Sequence, residues 1–436
     1  MKSKLLFSFD VILLISTVGL MAIGVLFIYS SGVSSTGLVV SNEYVKQIIW
    51  VSLGLAIAIS FMFANYLRIA DFSPYIFAFF IALLAATLFV GRVFNGARSW
   101  IQIFGFGLQP SEFAKVATIL YMAYYLDRNA RSTERLRTYA TGFAIILAPM
   151  ALILLQPDMG TALVYIPIFV SMAFVAGFPV RYLLFLLGAG FLLVFFSVLP
   201  AWHADIATRE YVIVTLITSR RYVGFTLLIL GSVTVLSGIG YFVLHKRYFY
   251  WILYTVSLVA GALGGSFVLR RFLKGYQVTR MIVFLDPGID PQGAGWNVIQ
   301  SVTAVGSGGW FGKGWLKGTQ SHYRFLPQQS TDFIFSIIAE EWGFLGSLLV
   351  FLLFAVILAR GFYIMLSARD RYASLVSAGL IGMIGFHVLI NIGMAMGIMP
   401  ITGIPLFFLS YGGSSLWTAL IGIGLLLNIH IRRYRY

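Results

Sequence analysis

Apolar runs of about twenty residues recur along the whole chain, and no other feature limits its fold as strongly. Twelve runs can be marked, at 11–29, 48–67, 72–90, 111–126, 139–155, 161–178, 182–199, 222–244, 248–269, 333–359, 373–396 and 404–429. A helix needs about 20 residues to cross a bilayer core. Only 10% of the residues are charged, against about 25% in soluble domains. We predict an all-α, polytopic integral membrane protein with about twelve transmembrane helices.

The basic residues predict which side each loop faces. The formal net charge is +15, and Lys and Arg concentrate in the cytoplasmic loops of membrane proteins. With both chain ends inside, those loops hold most of the basic residues, among them Lys2, Lys4, Arg128 and Arg131. Positive loops facing anionic lipid explain the charge without nucleic acid. The absence of cysteine excludes disulfides and zinc–thiolate sites.

The longest connection, 270–331, then lies outside the membrane, and all other connections are short. No low-complexity linker divides the sequence, so a single membrane domain, 1–436, is expected. Long loops in compact proteins commonly carry function. The search for a site therefore starts at this loop.

Asp332 stands where the long loop enters the next apolar run. One interpretation is a helix N-cap, worth about 1 kcal/mol. The other is a general base or a cation ligand at the outer membrane surface, facing a substrate from the lipid. For Glu340 and Glu341, two turns later, a structural ion pair is favoured over catalysis.

Three further polar groups have a structural and a functional interpretation. Glu112 and Lys115 are three residues apart and share a helix face, so they either form an internal salt bridge or line a cavity. Asp158 lies in an outer Gln-Pro-Asp turn, which turn chemistry alone explains. Arg98 and Trp100 can bind an anion beside an aromatic platform, or Trp100 can belong to an interfacial belt.

The glycine-rich segment 306–314 does not have the spacing of a nucleotide-binding loop. It does bring Lys313, Lys317 and Arg324 into one external stretch that could meet a diphosphate or a sugar. His387 and Asn391 share a helix face, where an interhelical hydrogen bond outweighs a metal site. The segment 410–415 interrupts the last run, and irregular backbone at that depth must be buried or line a cavity. Residue chemistry alone does not distinguish a transporter from a membrane-embedded transferase.

Seven segments together resemble the SEDS family (shape, elongation, division and sporulation). They lie in the family's order across most of the chain, at 95–100, 109–115, 156–161, 290–300, 306–320, 325–346 and 403–415. The run 312–320, followed by Phe325-Leu326-Pro327, is more similar to the elongation members than to the division members.

The resemblance implies a peptidoglycan glycosyltransferase of the bacterial cytoplasmic membrane that polymerises lipid II on its outer face. A class B penicillin-binding protein, as transpeptidase, and other elongation-complex membrane proteins are the implied partners. The family's essential Asp falls on Asp332, its loop Trp on Trp100, and its membrane Glu and Lys on Glu112 and Lys115. A divalent cation, Mg²⁺ or Mn²⁺, is a further expectation, with Asp332 as its ligand or as the base.

The residues expected to bind substrate are listed together: Trp100, Arg98, Glu112, Lys115, Asp158, Lys313, Lys317 and Arg324. A lipid II flippase and a non-catalytic scaffold remain alternatives. A flippase needs a polar path across the bilayer, whereas the long loop, Asp332, Asp158 and Trp100 are all predicted on the outer side, which favours the enzyme.

Three features depart from the family pattern. Gln328 stands where a Glu is common, which puts a second carboxylate beside Asp332 in doubt. Phe407 replaces a usual Pro, so a different entry of the last helix is expected. The family usually has ten spans, and the surplus maps to 222–269, an inserted helical hairpin that we expect to pack on the periphery.

Overall fold

The computed structural model describes residues 9–94, 97–103, 106–132, 135–206, 211–273 and 275–433. Lys2, Lys4 and the first two residues of the 95–100 segment lie outside these ranges. The helices, in chain order, are α1 (Val11–Ser31), α2 (Glu43–Phe63), α3 (Tyr66–Val90), α4 (Pro110–Arg128), α5 (Leu136–Leu155), α6 (Met159–Leu163), α7 (Tyr165–Val175), α8 (Val180–Asp205), α9 (Val212–Thr218), α10 (Arg220–Leu244), α11 (Arg247–Phe272), α12 (Gly275–Leu285), α13 (Ala294–Ser307), α14 (Thr319–His322), α15 (Ile334–Leu366), α16 (Arg371–Ala395) and α17 (Gly413–Arg432).

Ten of the described helices are long and apolar enough to cross a membrane, which confirms a polytopic helical fold. The other two predicted spans are helical but different. The 111–126 run lies in α4, which carries charged groups at both ends. The 161–178 run is divided between α6 and α7. Pro167 explains the division, because it has no N–H to bond the carbonyl of Leu163.

The last predicted span, 404–429, begins later than expected. α17 starts only at Gly413, with Gly412 in a conformation at φ +154°. Residues 401–412 are irregular, and Leu406, Phe407 and Leu409 among them are buried. This confirms that irregular backbone at this position is enclosed by protein, as its unpaired polar groups require.

The contacts divide the chain into two compact units, Met1–Phe178 with Gln300–Tyr436, and Pro179–Ile299. The sequence predicted a single domain with an insertion at 222–269. The second unit is larger than that hairpin, because α8 packs on α11 and α9 packs on α8 and α10. In its core, Phe196 and Leu199 of α8 lie with Ala262 and Leu263 of α11.

Within the first unit, polar contacts at one end of the helices and the start of α15 at the other distinguish the two ends. At one end, Arg360 pairs with Asp10 at 2.7 Å, and the Tyr66 hydroxyl donates to Asp370. The opposite end holds the start of α15, where Asp332 lies. We call these the inner end and the outer end, following the orientation that the Lys and Arg distribution predicts.

A small antiparallel sheet, which the sequence did not predict, accompanies the helices. β1 (Arg92–Phe94), β2 (Ala97–Ile103) and β3 (Phe106–Leu108) pair in that order, between α3 and α4. The predicted loop 270–331 is also partly regular, since α12, α13 and α14 lie in it. Both differences concern segments outside the long apolar runs, where hydropathy carries no signal.

Candidate active site

Asp332 lies directly before α15 at the outer end. The N-cap of α15 is Phe333, not Asp332, so the helix begins one residue later than the capping interpretation requires. The Asp332 side chain is half-buried. A Cβ added to Gly403 would lie 3.6 Å from Asp332 Oδ2, so the carboxylate faces backbone that carries no side chain.

Asn391 of α16 fixes the backbone of Asp332. Its side-chain amide donates to the carbonyl of Asp332 at 2.9 Å and to the carbonyl of Ile404 at 2.8 Å. Asn391 is fully buried. One amide group thus holds the residue before α15 and the irregular segment 401–412 at a fixed separation. The sequence predicted a hydrogen bond here but not its partner.

The irregular segment also holds the two residues before Asp332. Ser410 Oγ donates to the carbonyl of Thr331 at 2.5 Å, and the Tyr411 N–H donates to the carbonyl of Ser330 at 2.8 Å. Ser410 is itself buried. Three successive carbonyls, 330 to 332, are therefore bonded, and the position of the carboxylate follows from α16 and the 401–412 segment together.

The predicted salt bridge between Glu112 and Lys115 is present. Lys115 Nζ lies 2.8 Å from Glu112 Oε1, with the two side chains 0% and 2% exposed. Lys115 Nζ also lies 3.1 Å from His387 Nε2. Because the ammonium can only donate, His387 Nε2 accepts, and its Nδ1–H donates to the carbonyl of Pro405 at 2.9 Å.

The buried network of Glu112, Lys115 and His387 packs against the irregular segment 401–412. The His387 ring stacks on the Phe407 ring at 3.7 Å between centroids. Lys115 Nζ lies 5.5 Å from the centre of the Phe407 ring. Phe407 thus has a packing partner at the position where the family pattern has Pro. Glu112 Oε2 is buried and has no hydrogen-bond partner among the described residues.

Asp158 caps α6 and also bonds Gln109, the residue directly before α4. Its Oδ1 accepts from the Thr161 N–H, and its Oδ2 accepts from the Thr161 hydroxyl and from Gln109 Nε2, both at 2.9 Å. A Cβ at Gly160 would lie 2.3 Å from the carbonyl of Thr402. The Asp158 turn therefore presses directly on the segment that contacts Asp332, and both carboxylate oxygens already have partners.

Trp100 and Arg98 lie on β2. The half-buried Trp100 ring covers Gly107, where an added Cβ would lie 3.1 Å from the ring. Arg98 donates from its backbone N–H to the Gln156 carbonyl at 3.2 Å and from its exposed side chain to the Leu88 carbonyl at 3.3 Å. The sheet is thereby tied to the turn that precedes Asp158.

The end of the long loop folds around the side chain of Glu340. Glu340 is completely buried, and its Oε1 accepts from Lys313 Nζ at 2.7 Å. The same oxygen accepts from the N–H of Thr319 at 2.7 Å and of Gln320 at 3.0 Å. Lys313 is thus neutralised by an internal carboxylate. The expectation that it meets a substrate diphosphate is not supported by this geometry.

Glu341 holds a second part of the same loop. Its Oε1 accepts from the Ser30 hydroxyl at 2.5 Å, and its Oε2 accepts from the Leu316 N–H at 3.1 Å. His322 Nε2 lies 3.3 Å from Glu341 Oε1, an ion-pair distance without hydrogen-bond alignment. The interaction with Glu341 outweighs burial and raises the pKa of His322 above its usual value. The structural interpretation of both glutamates is confirmed.

A break in α15 makes this folding of the loop possible. Gly343 has φ +64° and ψ −157° inside the helix. The freed carbonyls of Glu340 and Glu341 accept from the N–H groups of Lys313 and Gly314, each at 3.0 Å. The Phe344 N–H donates back to the Gly309 carbonyl at 2.8 Å. Loop backbone therefore replaces one turn of helical hydrogen bonding.

Lys317 and Arg324 differ from Lys313. Both side chains are exposed, and neither forms an ion pair with a carboxylate in the part of the chain that the structure describes. They lie on either side of α14, on the external loop. Of the predicted loop cations, these two have the exposure that binding an external anion requires.

The site does not form a metal cage by itself. Among the described residues, no group of three or more His, Cys, Asp or Glu side chains could hold a metal ion. Mg²⁺ is often bound by one or two carboxylates together with substrate phosphates. Asp332 supplies one carboxylate for that arrangement, and the remaining ligands would come from outside the chain.

The structure thus brings together Asp332, Asn391, the irregular segment, the Asp158 turn and the buried Lys115 network. A family model described as cell cycle protein, FtsW/RodA/SpoVE, matches residues 11–220 and 208–435. The chain belongs to the FtsW/RodA/SpoVE family.

Relatives from three bacteria support the family assignment over most of the chain. The peptidoglycan glycosyltransferase RodA of Treponema pallidum is 48% identical over 425 residues, 98% of each chain. Stage V sporulation protein E of Bacillus subtilis is 32% identical and covers 96% of each chain. The peptidoglycan glycosyltransferase MrdB of Escherichia coli K12 is 31% identical over 83% of this chain and 78% of its own.

Solved structures of family members have the same fold. A chain from a peptidoglycan synthase complex, in which polymerisation and crosslinking are coordinated, superposes with a TM-score of 0.67 at 29% identity, covering 98% of this chain and 99% of that one. Rod shape determining protein RodA of Thermus thermophilus gives a TM-score of 0.60 at 25% identity with the same coverage. This FtsW/RodA/SpoVE protein is therefore a multi-pass protein of the bacterial cytoplasmic membrane.

Proposed function

We propose that this chain is a peptidoglycan glycosyltransferase that polymerises lipid II into glycan strands at the outer face of the cytoplasmic membrane, for cell elongation. The relatives from T. pallidum and E. coli bear the name peptidoglycan glycosyltransferase. The observation that carries the proposal is the position of Asp332, a half-buried carboxylate at the outer end whose backbone is fixed by Asn391.

The reaction needs one base and stabilisation of a leaving diphosphate. The 4-hydroxyl oxygen of one lipid-linked sugar forms a bond to the anomeric carbon of another, with inversion. The bond from that carbon to the diphosphate oxygen breaks, and the polyprenyl diphosphate leaves with the electron pair. Because a diphosphate is already a good leaving group, the second carboxylic acid used in glycoside hydrolysis is not required.

Asp332 is the proposed base. A general base must lie within about 3 Å of the hydroxyl whose proton it takes, and the proton passes to a carboxylate oxygen of Asp332. The facing Gly403 leaves space beside Oδ2. Fixed donors and cations stabilise a developing charge most when they are already in position, so Lys317 and Arg324 are the proposed contacts for the diphosphate. Arg98 and Trp100 are the proposed contacts for a sugar.

Glu112, Lys115 and Asp158 take a positioning role in this proposal. They are bonded to other side chains or to backbone, and through His387 and Gly160 they support the segment 401–412. Breaking a buried ion pair by removing one partner costs about 3–5 kcal/mol. Their substitution is therefore expected to lower activity by moving that segment.

Mg²⁺ or Mn²⁺, where it is required, would be held between Asp332 and substrate phosphates. The chain supplies one carboxylate for it, and the ion would contribute charge neutralisation of the diphosphate. A class B penicillin-binding protein is the proposed transpeptidase partner, together with other membrane proteins of the elongation complex. The support is a solved family member that lies in a peptidoglycan synthase complex.

The test is glycan-strand formation by purified protein, lipid II and the penicillin-binding partner. Asp332→Asn should lower the rate by about 10²–10⁴-fold, the usual contribution of a general base. Asp286→Asn is the matched control, because Asp286 is an exposed carboxylate of the outer loop that caps a short 3₁₀ turn. Folding of both variants is checked by thermal unfolding in detergent.

The outcomes separate the candidate functions and the two roles of Asp332. Equal polymer from wild type and Asp332→Asn would remove Asp332 from the chemistry. If wild type makes no polymer but moves lipid II across vesicles, the protein is a flippase. A divalent titration of residual activity separates base from ligand, because loss of a ligand weakens the activating ion whereas loss of a base leaves its affinity unchanged.

A further inference from the structure

A cavity of about 690 Å³ lies at the inner end of the first unit, remote from the outer residues used above. Its walls come from the ends of α7 and α15 and from the first turns of α16. The apolar wall includes Phe174, Phe362 and Leu366. These side chains are 62%, 53% and 70% exposed, so the cavity opens toward the surface that a helix bundle presents to lipid.

The polar rim of this cavity is basic. Arg369 and Arg371 line it, and Asp370 lies between them. The Asp370 carboxylate already accepts from the Tyr66 hydroxyl and from the Ala373 N–H. Asp127 lies within electrostatic range of Arg371 but is not part of the lining. The cavity is therefore lined by two arginines and by one carboxylate whose oxygens are both engaged.

Arg371 has an unmet hydrogen-bonding need at this rim. One of its terminal nitrogens donates to the Ala176 carbonyl at 2.7 Å. Its Nε is buried and has no hydrogen-bond partner among the described residues. A buried donor without an acceptor is costly, so the Arg371 guanidinium keeps hydrogen-bonding capacity that the described protein groups do not meet.

We propose that this cavity binds an anionic phospholipid, with the phosphate at Arg369 and Arg371 and an acyl chain along Phe174, Phe362 and Leu366. Basic pockets between transmembrane helices on the cytoplasmic side are suited to anionic headgroups. The apolar wall distinguishes a lipid from a free phosphate, since only a lipid covers exposed apolar surface. The proposal does not depend on the glycosyltransferase reaction, because it involves none of the residues assigned to it.

The test is lipid retention by the purified full-length protein, measured by native mass spectrometry from nanodiscs of phosphatidylethanolamine with added phosphatidylglycerol. Retained phosphatidylglycerol should fall roughly 30-fold in the double variant Arg369→Gln, Arg371→Gln, in line with the loss of two basic contacts. Arg68→Gln is the matched control, because Arg68 is exposed and does not line the cavity.

A second variant removes the space and keeps both charges. Ser374 lines the cavity on α16, and Ser374→Phe should fill it and lower retention to a similar degree. Equal retention in wild type and both variants would overturn the proposal. So would displacement of the lipid by inorganic phosphate alone, which would indicate a simple anion site. Preferential retention of a polyprenyl diphosphate would also overturn it, in favour of an entry site for substrate.

Discussion

At the scale of single residues, Asn391 joins two parts of the site that are remote in sequence. Its amide bonds the carbonyls of Asp332 and Ile404. Asn428 makes the same kind of double contact at the inner end, donating to the carbonyls of Phe61 at 2.6 Å and Ala64 at 2.7 Å. The chain therefore contains two buried asparagines that each bond two backbone carbonyls, and one of them lies at the proposed catalytic carboxylate.

Asn391→Leu and Asn428→Leu should both lower stability, by about 1–3 kcal/mol, because each leaves buried carbonyls without a donor. Only Asn391→Leu should lower kcat, by roughly 100-fold, since a displacement of about 1 Å at a catalytic group has that effect. KM should change little. Steady-state polymerisation and thermal unfolding measure the two effects, and similar kcat values in the two variants would contradict a positioning role for Asn391.

At the scale of elements, two glycines of the outer loop both have a positive φ but have different surroundings. Gly312 and Gly314 have φ of +77° and +98°. A Cβ at Gly312 would lie 2.0 Å from the carbonyl of Glu341, whereas a Cβ at Gly314 would meet only the Lys317 side chain at 3.4 Å.

Gly314→Ala should cost about 1–2 kcal/mol, because a residue with a Cβ is strained at this positive φ. Gly312→Ala should cost several times more, because its Cβ would push the loop away from the broken turn of α15. Proteolytic cleavage within residues 309–324 measures this separation. Equal cleavage rates in the two variants would show that the close contact with Glu341 does not control the loop.

The pairing of His322 with Glu341 makes the same loop sensitive to pH. The raised pKa of His322 means that protonation is favoured in the folded loop. Its contribution to stability is complete below the ordinary histidine pKa and is lost as the pH rises through the raised value. Cleavage of the loop should therefore increase with pH over that interval. His322→Gln should remove the pH dependence, and a dependence that survives in this variant would assign it elsewhere.

The sequence predicted the elements that hydropathy controls, and it missed contacts between remote segments. The apolar runs, the Glu112–Lys115 pair and the structural role of Glu340 and Glu341 follow from spacing and from the cost of burying charge. The pairing of Lys313 with Glu340 does not, because it depends on the break at Gly343. A glycine within a long apolar run was the only sequence signal of that break.

At the scale of the whole molecule, the helices 222–269 belong to the second unit, while the proposed catalytic residues belong to the first. Deleting 222–269 would uncover Phe196 and Leu199 of α8, which now pack on Ala262 and Leu263. Lipid is as apolar as these side chains and can replace them. A correctly inserted deletion variant should therefore keep polymerisation activity. Loss of polymerisation in a variant that remains in the membrane and unfolds cooperatively would contradict this expectation.

The buried glutamates of α15 also have a consequence for biosynthesis. A charged residue at the centre of a helix costs about 2.5–3.5 kcal/mol during insertion. Glu112 enters with Lys115 in the same helix, so the two groups can neutralise each other as they insert. The partners of Glu340, in contrast, are Lys313 and Thr319, which precede it in the chain. Because these partners lie outside α15, Glu340 is paired only once the loop has folded against the helix, whereas Glu112 can be neutralised within its own helix.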